Sequence, residues 1–523
     1  MLLGHLSIFQ TISKLVNKYS FLLVATALFI FESFAILKGN WQSDFWDHSS
    51  AIKALSENLL HPSHPYLKLN TPHPFFSPYS VAVAAFAKAA HLNSIQALTC
   101  MAFFNLVLFL FSFYRFCQSL FKEKASLIAA LGLIFALFLW GNGPYGWSGF
   151  YHFMVLHSVL PYPSTFAISL TFLTLSILIN NFKLAYFDRP TIWIILLSTI
   201  VFITHPNTGI LLFILIIGLN FSLSGYTFKF TFLRSFLLIV TTILLSFFWP
   251  YFNMPDVLFS YNEEFNTSWE RLYHGERRIA WPFLALIPGI FFAPKNKITY
   301  FFFVSVAIMV VLFVAGYFLK MYGFSRLISG IMMFTQILIA YLIVTFFFHK
   351  NVKRILYIFF VSFCFLFCLL LNRKLIIETF YIPTGHFYKG YEFLREKINP
   401  DDLVLSDLGS SLGIPSFNGK VISTGKPVYW IKDSKERREA VKAFFTKENP
   451  DSLRKIIIDK YNPDYILLDS TRLDLKPSTI QWIRSLGETI YKKKQLELIR
   501  IKKLNLSLEG PYNLENYYCY NIW

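Results

Sequence analysis

The chain has 523 residues, of which 55% are hydrophobic, 19% aromatic and only 15% charged, with a mean hydropathy of +0.49. Soluble domains carry about 25% charged residues, so this composition excludes an ordinary soluble enzyme and requires long uncharged stretches. The formal net charge of +18 does not signal a nucleic-acid partner, because the basic residues of the first 380 positions stand in short clusters between apolar runs, as membrane topology demands.

Charge is unevenly spread. Residues 1–380 hold 37 charged side chains, whereas the 143 residues of 381–523 hold 41. The expected organisation is a transmembrane domain over 1–380, with a long first outer loop at 39–93, followed by a soluble α/β domain over 381–523. The five cysteines are too few for a disulfide framework.

Lys14 and Lys18 precede an apolar run from Ser20 to Leu37, which is long enough to span a bilayer and has no small-residue cleavage site after it. A retained first helix is expected. Further spans are expected near 94–113, 125–141, 164–180, 190–204, 207–223, 233–250, 279–293, 298–318, 327–348 and 355–371, making about eleven in all. Alternation then collects Lys14/Lys18, Lys122/Lys124, Lys183/Arg189, Lys229/Arg234, Lys295/Lys297 and the cluster from His349 to Arg354 on one face, which the positive-inside rule makes cytoplasmic. Asp44, Asp47, Glu57, Glu263, Glu264, Glu270 and Glu276 fall on the opposite face. The C-terminal domain joins them there, because the expected number of spans is odd. The chain is thus expected in the cell (inner) membrane, with a cytoplasmic N-terminus and an extracytoplasmic C-terminal domain.

Within the first outer loop, Phe45, Ala51, Ile52, Leu55 and Leu59 form an apolar stripe on a helix over 44–60, and prolines 62–78 separate it from a second helix over 81–90. Two helices lying on the bilayer surface are expected. Beyond residue 381, strand signals at 403–405, 421–422, 465–468 and 497–501 alternate with helical stretches at 388–398, 435–445, 452–460 and 479–486, the pattern of a small α/β domain.

The sharpest chemical feature is Ser-Asp-Phe-Trp-Asp-His at 43–48. Asp44 and Asp47, three apart at a helix start, share one face beside a helix N-terminus that favours their anionic form. One can act as general base for an acceptor hydroxyl, and the other can position it or hold a divalent cation. The structural alternative is a capping Asp44 and a solvated Asp47. Arg326 abuts the apolar run at 327–348, where an arginine is costly unless it snorkels or binds an anion, and its planar fork suits phosphate. His205, in the tight Thr-His-Pro-Asn turn at 204–207, must lie close to the membrane surface and could bond a phosphate or a sugar hydroxyl, the structural alternative being a histidine that satisfies the turn backbone. His48, Glu276, Arg277 and Arg278 are further candidates for substrate binding, with simple solvation as the alternative for the loop 263–278. His61, His64 and His73 each precede a proline, which opposes a helical metal face. The aromatic segment 145–163 reads as an interfacial belt.

A first span with its N-terminus inside, an acidic motif opening a long outer loop, about eleven spans and a soluble outer α/β domain together resemble the GT-C class of membrane glycosyltransferases. The resemblance implies a polyprenyl-phosphate-linked sugar as donor and a glycan, lipid or protein as acceptor. It also implies inversion at the anomeric carbon, a first-loop acid as base at Asp44 or Asp47, and donor-phosphate contacts at Arg326 and His205. The usual acidic pair is adjacent or nearly so, and a spacing of three leaves open which aspartate is the base. No cofactor is called for beyond that divalent cation. The competing classes are a polytopic transporter or flippase for lipid-linked glycans, an O-antigen ligase or polymerase, and a non-enzymatic scaffold of the cell envelope. A transporter usually carries polar residues at mid-membrane depth, whereas these spans are nearly charge-free apart from Glu32 and Arg115.

Overall fold

A computed structural model describes residues 2–181, 188–223, 228–259, 269–347, 352–426 and 431–502, with side chains from residue 18. The chain divides into two compact units: Met1–Phe45 with Pro74–His386, and Trp46–His73 with Phe387–Trp523. The division falls inside the helix Asp44–Glu57, between Phe45 and Trp46. Residues 46–73, part of the first loop by sequence, therefore belong to the second unit.

The first unit is helical. Each expected apolar stretch carries a helix, at Leu2–Lys38, Ser94–Phe121, Ala125–Phe138, Pro163–Asn180, Arg189–Thr204, Pro206–Leu223, Phe228–Ser246, Glu276–Phe292, Lys297–Phe318, Leu327–Phe347 and Val352–Leu371. Among the described residues, eight candidate spans are long and apolar enough to cross a membrane. The shortfall from the expected eleven has physical causes. Ser94–Phe138 is one apolar stretch of 45 residues, but the 3₁₀ turn Lys122–Lys124 divides it into two helices that pack on each other, Phe113 lying 3.5 Å from a Cβ placed at Gly132. Arg189–Thr204 has 16 residues, about 24 Å of helix against a hydrocarbon core of about 30 Å. Glu276–Phe292 begins with three charged residues and contains Pro282 and Pro288.

Local sequence sets where these helices start. Asn93 and Gln96 form a capping box, Asp188 accepts from Thr191 N–H (2.9 Å), and Asn296 accepts from Thr299 N–H (3.0 Å). Helix 327–347 is buried along almost its whole length, whereas Val352–Leu371 buries only Tyr357, Val361, Cys364 and Cys368. That stripe has helical spacing. The remaining face is apolar and uncovered, with Phe359, Phe363 and Leu370 all exposed, as a lipid-facing helix requires. The chain is an integral membrane protein.

The two loop helices form as Asp44–Glu57 and Pro78–Ala89, but neither spreads its apolar face on a bilayer. Ala51, Ile52 and Leu55 on the first, and Val83, Ala84 and Ala87 on the second, are buried in protein. The aromatic segment is likewise packed inside: Tyr145, Tyr151, His152 and Tyr162 are buried rather than interfacial.

The second unit is a mixed five-stranded sheet, β1 Leu403–Leu405, β2 Lys420–Val421, β3 Tyr465–Asp469, β4 Gly487–Lys493 and β5 Leu496–Ile501, in the order β2-β1-β3-β5-β4. β1 runs parallel to both β2 and β3, while β5 is antiparallel to β3 and β4. Helices Ser434–Phe445, Asp451–Tyr461 and Pro477–Ser485 supply Val441, Phe444, Ile457 and Ile483 to a core with Leu405, Ile466 and Ile499. β4 was not expected from sequence. It is an edge strand, mostly exposed, so it lacks the apolar alternation that marks a half-buried strand.

Candidate functional site

In the first unit, the turn leading to Asp44 is tightly specified. Ser43 adopts φ 53°, a conformation that costs energy in a non-glycine residue. Trp41 stacks on Phe45 at 4.6 Å, and Tyr162 donates its hydroxyl to Gln42 O (3.2 Å). Asp44 then opens its helix half-buried, with Ser43 Oγ donating to its Oδ1 (3.3 Å). Its carboxylate lies within electrostatic range of the Arg326 guanidinium.

Arg326 ends the 3₁₀ turn Tyr322–Arg326. Its guanidinium faces the rings of Trp147 (5.6 Å) and Phe150 (6.0 Å), and Nη2 donates to Ser148 O. Gly149, at φ +87°, lets the loop pass close by: a Cβ there would stand 3.8 Å from Arg326 Nη2. His205 sits between two helices, and its Nδ1 accepts from Thr208 N–H (3.3 Å) and lies 2.7 Å from Thr208 Oγ1. This bond caps the helix Pro206–Leu223 and places the ring proton on Nε2.

Both residues line one narrow cleft, together with Gly149, Tyr151, Asn207, Thr208 and Ser329. The cleft thus combines a guanidinium, an imidazole and the N-terminal end of a helix, three groups that each favour an anion. Sequence reasoning picked out Arg326 and His205 individually. Asn207 stood out only as part of the turn at 204–207 and Tyr151 only as part of the aromatic segment, while Thr208 and Ser329 were missed, because their residue types carry no signal outside the fold.

Asp47 belongs to the second unit. It is 4% exposed, Tyr66 donates its hydroxyl to Oδ1 (2.8 Å), and Lys426 pairs with Oδ2. With both oxygens engaged, Asp47 does not fit the role of ligand to a divalent cation. Among the described residues, no three His, Cys, Asp or Glu side chains converge on a metal position. His48 is buried in the same unit. His64 Nδ1 accepts from Tyr66 N–H (3.1 Å) and Leu67 N–H (3.0 Å). Burial, with Lys420 and Arg437 nearby, pushes its pKa down to about 3.

Lys420 anchors the same segment: Nζ donates to His64 O (2.7 Å) and Ser63 Oγ (2.9 Å), and burial lowers its pKa to about 8. Val421 N–H donates to Tyr66 O (2.7 Å), extending β2 by one backbone bond.

Glu276, Arg277 and Arg278 stand exposed in the first turn of their helix and do not line the Arg326 cleft. Arg278 instead faces the Tyr145 ring at 4.8 Å, and the carbonyls of Arg277 and Arg278 receive Asn142 N–H (2.9 Å) and Gly141 N–H (2.8 Å). Glu263 and Glu264 lie outside the described residues.

No protein-family model matches the chain, and no curated protein matches it in sequence. Its structure is similar to several solved ones. The Archaeoglobus fulgidus oligosaccharyltransferase tethered with an acceptor peptide aligns at TM-score 0.48 and 14% identity, over 87% of this chain and 69% of that one. AglB from the same organism, in complex with an inhibitory peptide and a dolichol-phosphate, aligns at 0.48 and 12%, over 86% and 69%. ArnT from Cupriavidus metallidurans, bound to undecaprenyl phosphate, aligns at 0.49 and 10%, over 94% of this chain and 100% of that one.

Proposed function

We propose that the chain is a GT-C-type membrane glycosyltransferase that moves a sugar from a polyprenyl-phosphate donor to an extracytoplasmic glycan, lipid or protein. Asp44 is its base. The observation that supports this best is the cleft joining Arg326, His205 and the start of helix Pro206–Leu223, with the Asp44 carboxylate in electrostatic range of Arg326.

In this reading the donor phosphate occupies the cleft. Asp44 takes the proton of the acceptor hydroxyl while its oxygen attacks the anomeric carbon, and the bond from that carbon to the phosphate oxygen breaks. The departing lipid phosphate gains negative charge, which Arg326 and His205 Nε2–H stabilise. A phosphate is already a good leaving group, so no strong general acid is needed, and a single displacement inverts the anomeric centre. Asp47 is a weaker candidate for the base because Lys426 and Tyr66 already engage it. The basic clusters support a cytoplasmic N-terminus and an extracytoplasmic second unit.

The test is mass spectrometry of surface glycans and glycolipids from cells lacking the chain and complemented with wild type or Asp44→Asn. Wild type should restore a one-sugar increment that Asp44→Asn does not. Full restoration by a normally expressed Asp44→Asn variant would remove Asp44 from the mechanism.

A further inference from the structure

The second unit holds a cavity that none of these roles uses. It encloses about 130 Å³ between the end of β3, the start of β5 and the helix Pro477–Ser485. Its walls are Leu468 of β3, Leu473 and Leu475 of the following loop, Ile480 of the helix and Leu496 of β5. Leu468 and Leu475 are buried, and the other three are half-buried. An apolar cavity of about 150 Å³ stays dry and takes up benzene, so this one has room for an apolar group of about six carbons.

The mouth is basic. Arg484, Lys492 and Lys494 stand exposed around it with Ser470, against one acid, Glu497. That acid is already matched: Arg484 Nε and Nη2 donate to its two oxygens (2.9 and 2.7 Å), Thr489 Oγ1 donates to Oε1 (3.1 Å), and Lys492 Nζ stands 3.9 Å from Oε2. Lys494 has no such partner among the described residues.

Lys494 is also the first residue of the two-residue turn that joins β4 to β5, at φ 53°. Glycine or asparagine takes such a position at less cost, so local stability does not account for a lysine there. Its place at the mouth does, because the strained turn sets an unpaired ammonium beside an apolar cavity.

Three basic side chains oppose a cation at this mouth. A polyol would bury its hydroxyls against leucines, and a purely apolar molecule would make no use of the ammonium. A carboxylate on a short apolar chain meets both parts of the site. Its tail leaves water for the leucine walls, and its single charge pairs with Lys494, with Ser470 Oγ and Arg484 Nη1 as further donors. We propose that the second unit binds a short amphipathic carboxylate here, tail inward and head on Lys494. The site does not rest on the transferase reading.

The experiment is ligand-observed NMR on the full-length chain in nanodiscs, with empty nanodiscs as the blank, titrating hexanoate, hexanol and hexylammonium, which share one tail. Hexanoate should bind saturably above the blank. Hexanol should bind about tenfold or more weakly, for want of the charge-assisted bonds, and hexylammonium should not bind. Lys494→Gly relieves the turn, so it should melt no lower than wild type and still weaken hexanoate about tenfold. Leu473→Phe fills the cavity without touching the mouth and should abolish hexanoate binding. If Leu473→Phe proves unstable by thermal melting, Lys494→Gly carries the test. Hexanol binding as tightly as hexanoate, a preference for hexylammonium, equal affinity of Lys494→Gly and wild type, or no saturable binding above the blank would each overturn the proposal.

Discussion

Asp47 and Lys426, 379 residues apart in sequence, form an ion pair within the second unit. The pair separates two aspartates that sequence spacing alone leaves equivalent. Asp47→Asn should remove the ion pair with Lys426 and weaken the bond from Tyr66, lowering stability by about 1–3 kcal/mol. Asp44→Asn should leave the melting temperature unchanged while cutting turnover of a polyprenyl-linked donor about 100-fold or more. Thermal melts and turnover on both variants check this, and an active Asp44→Asn beside an inactive but normally stable Asp47→Asn would reverse the assignment.

Arg326 presents a planar fork, held by Ser148 O and the ring of Trp147. Arg326→Lys keeps the charge but loses the fork, so it should mainly weaken donor binding, while Arg326→Ala should also lower kcat. Gly149→Ala, forced into an unfavourable φ beside the guanidinium, should resemble Arg326→Lys. Donor titrations in nanodiscs distinguish this from a membrane anchor, for which lysine would substitute almost fully.

His64 gives the second unit a dependence on acid. Its pKa falls from an ordinary 6.5 to about 3 in the fold, so between those values the unfolded chain binds the proton that the folded chain refuses. Stability is therefore fully present above pH 6.5 and is lost as pH falls toward 3. His64→Asn keeps an acceptor for the two backbone donors but does not titrate. It should flatten the decline in melting temperature between pH 7 and 4.

Lys420 acts in the alkaline range. Its folded pKa of about 8 lies below the ordinary 10.5, so the unfolded state holds the proton more tightly between those values and stability rises with pH across that window. Comparing the pH slopes of wild type and Lys420→Met isolates this contribution, and identical slopes would refute it.

The orientation is tested with reporters. One fused after Lys297 should be active only in the cytoplasm, and one fused after Trp523 only outside it. A cytoplasmic reporter signal from the C-terminal fusion would contradict the proposed sidedness of the second unit.

Much of the helical frame was legible because apolar runs bounded by charge are a strong local signal. Each expected stretch carries a helix, and the strands β1, β3 and β5 fall where β-branched and leucine-rich runs place them. Long-range pairing was not legible. Nothing in Pro65-Tyr66-Leu67 announces that Tyr66 O will receive Val421 N–H, or that Lys420 will bury its amine on His64 O. The same holds for the cleft: Arg326 and His205 stood out by residue type and depth, but their shared cleft depends on helix packing across more than a hundred residues of chain.

The placement of residues 46–73 in the second unit has a consequence for synthesis. Trp46 O and Ser50 Oγ meet Ser416 Oγ across sequence separations of 370 and 366 residues. At roughly 5–20 residues per second, the segment emerges about 20–75 s before the strands that complete it. During that interval the Ser416 hydroxyl that meets Trp46 O and Ser50 Oγ does not yet exist, so the two parts of the second unit can join only after the intervening membrane helices have been made.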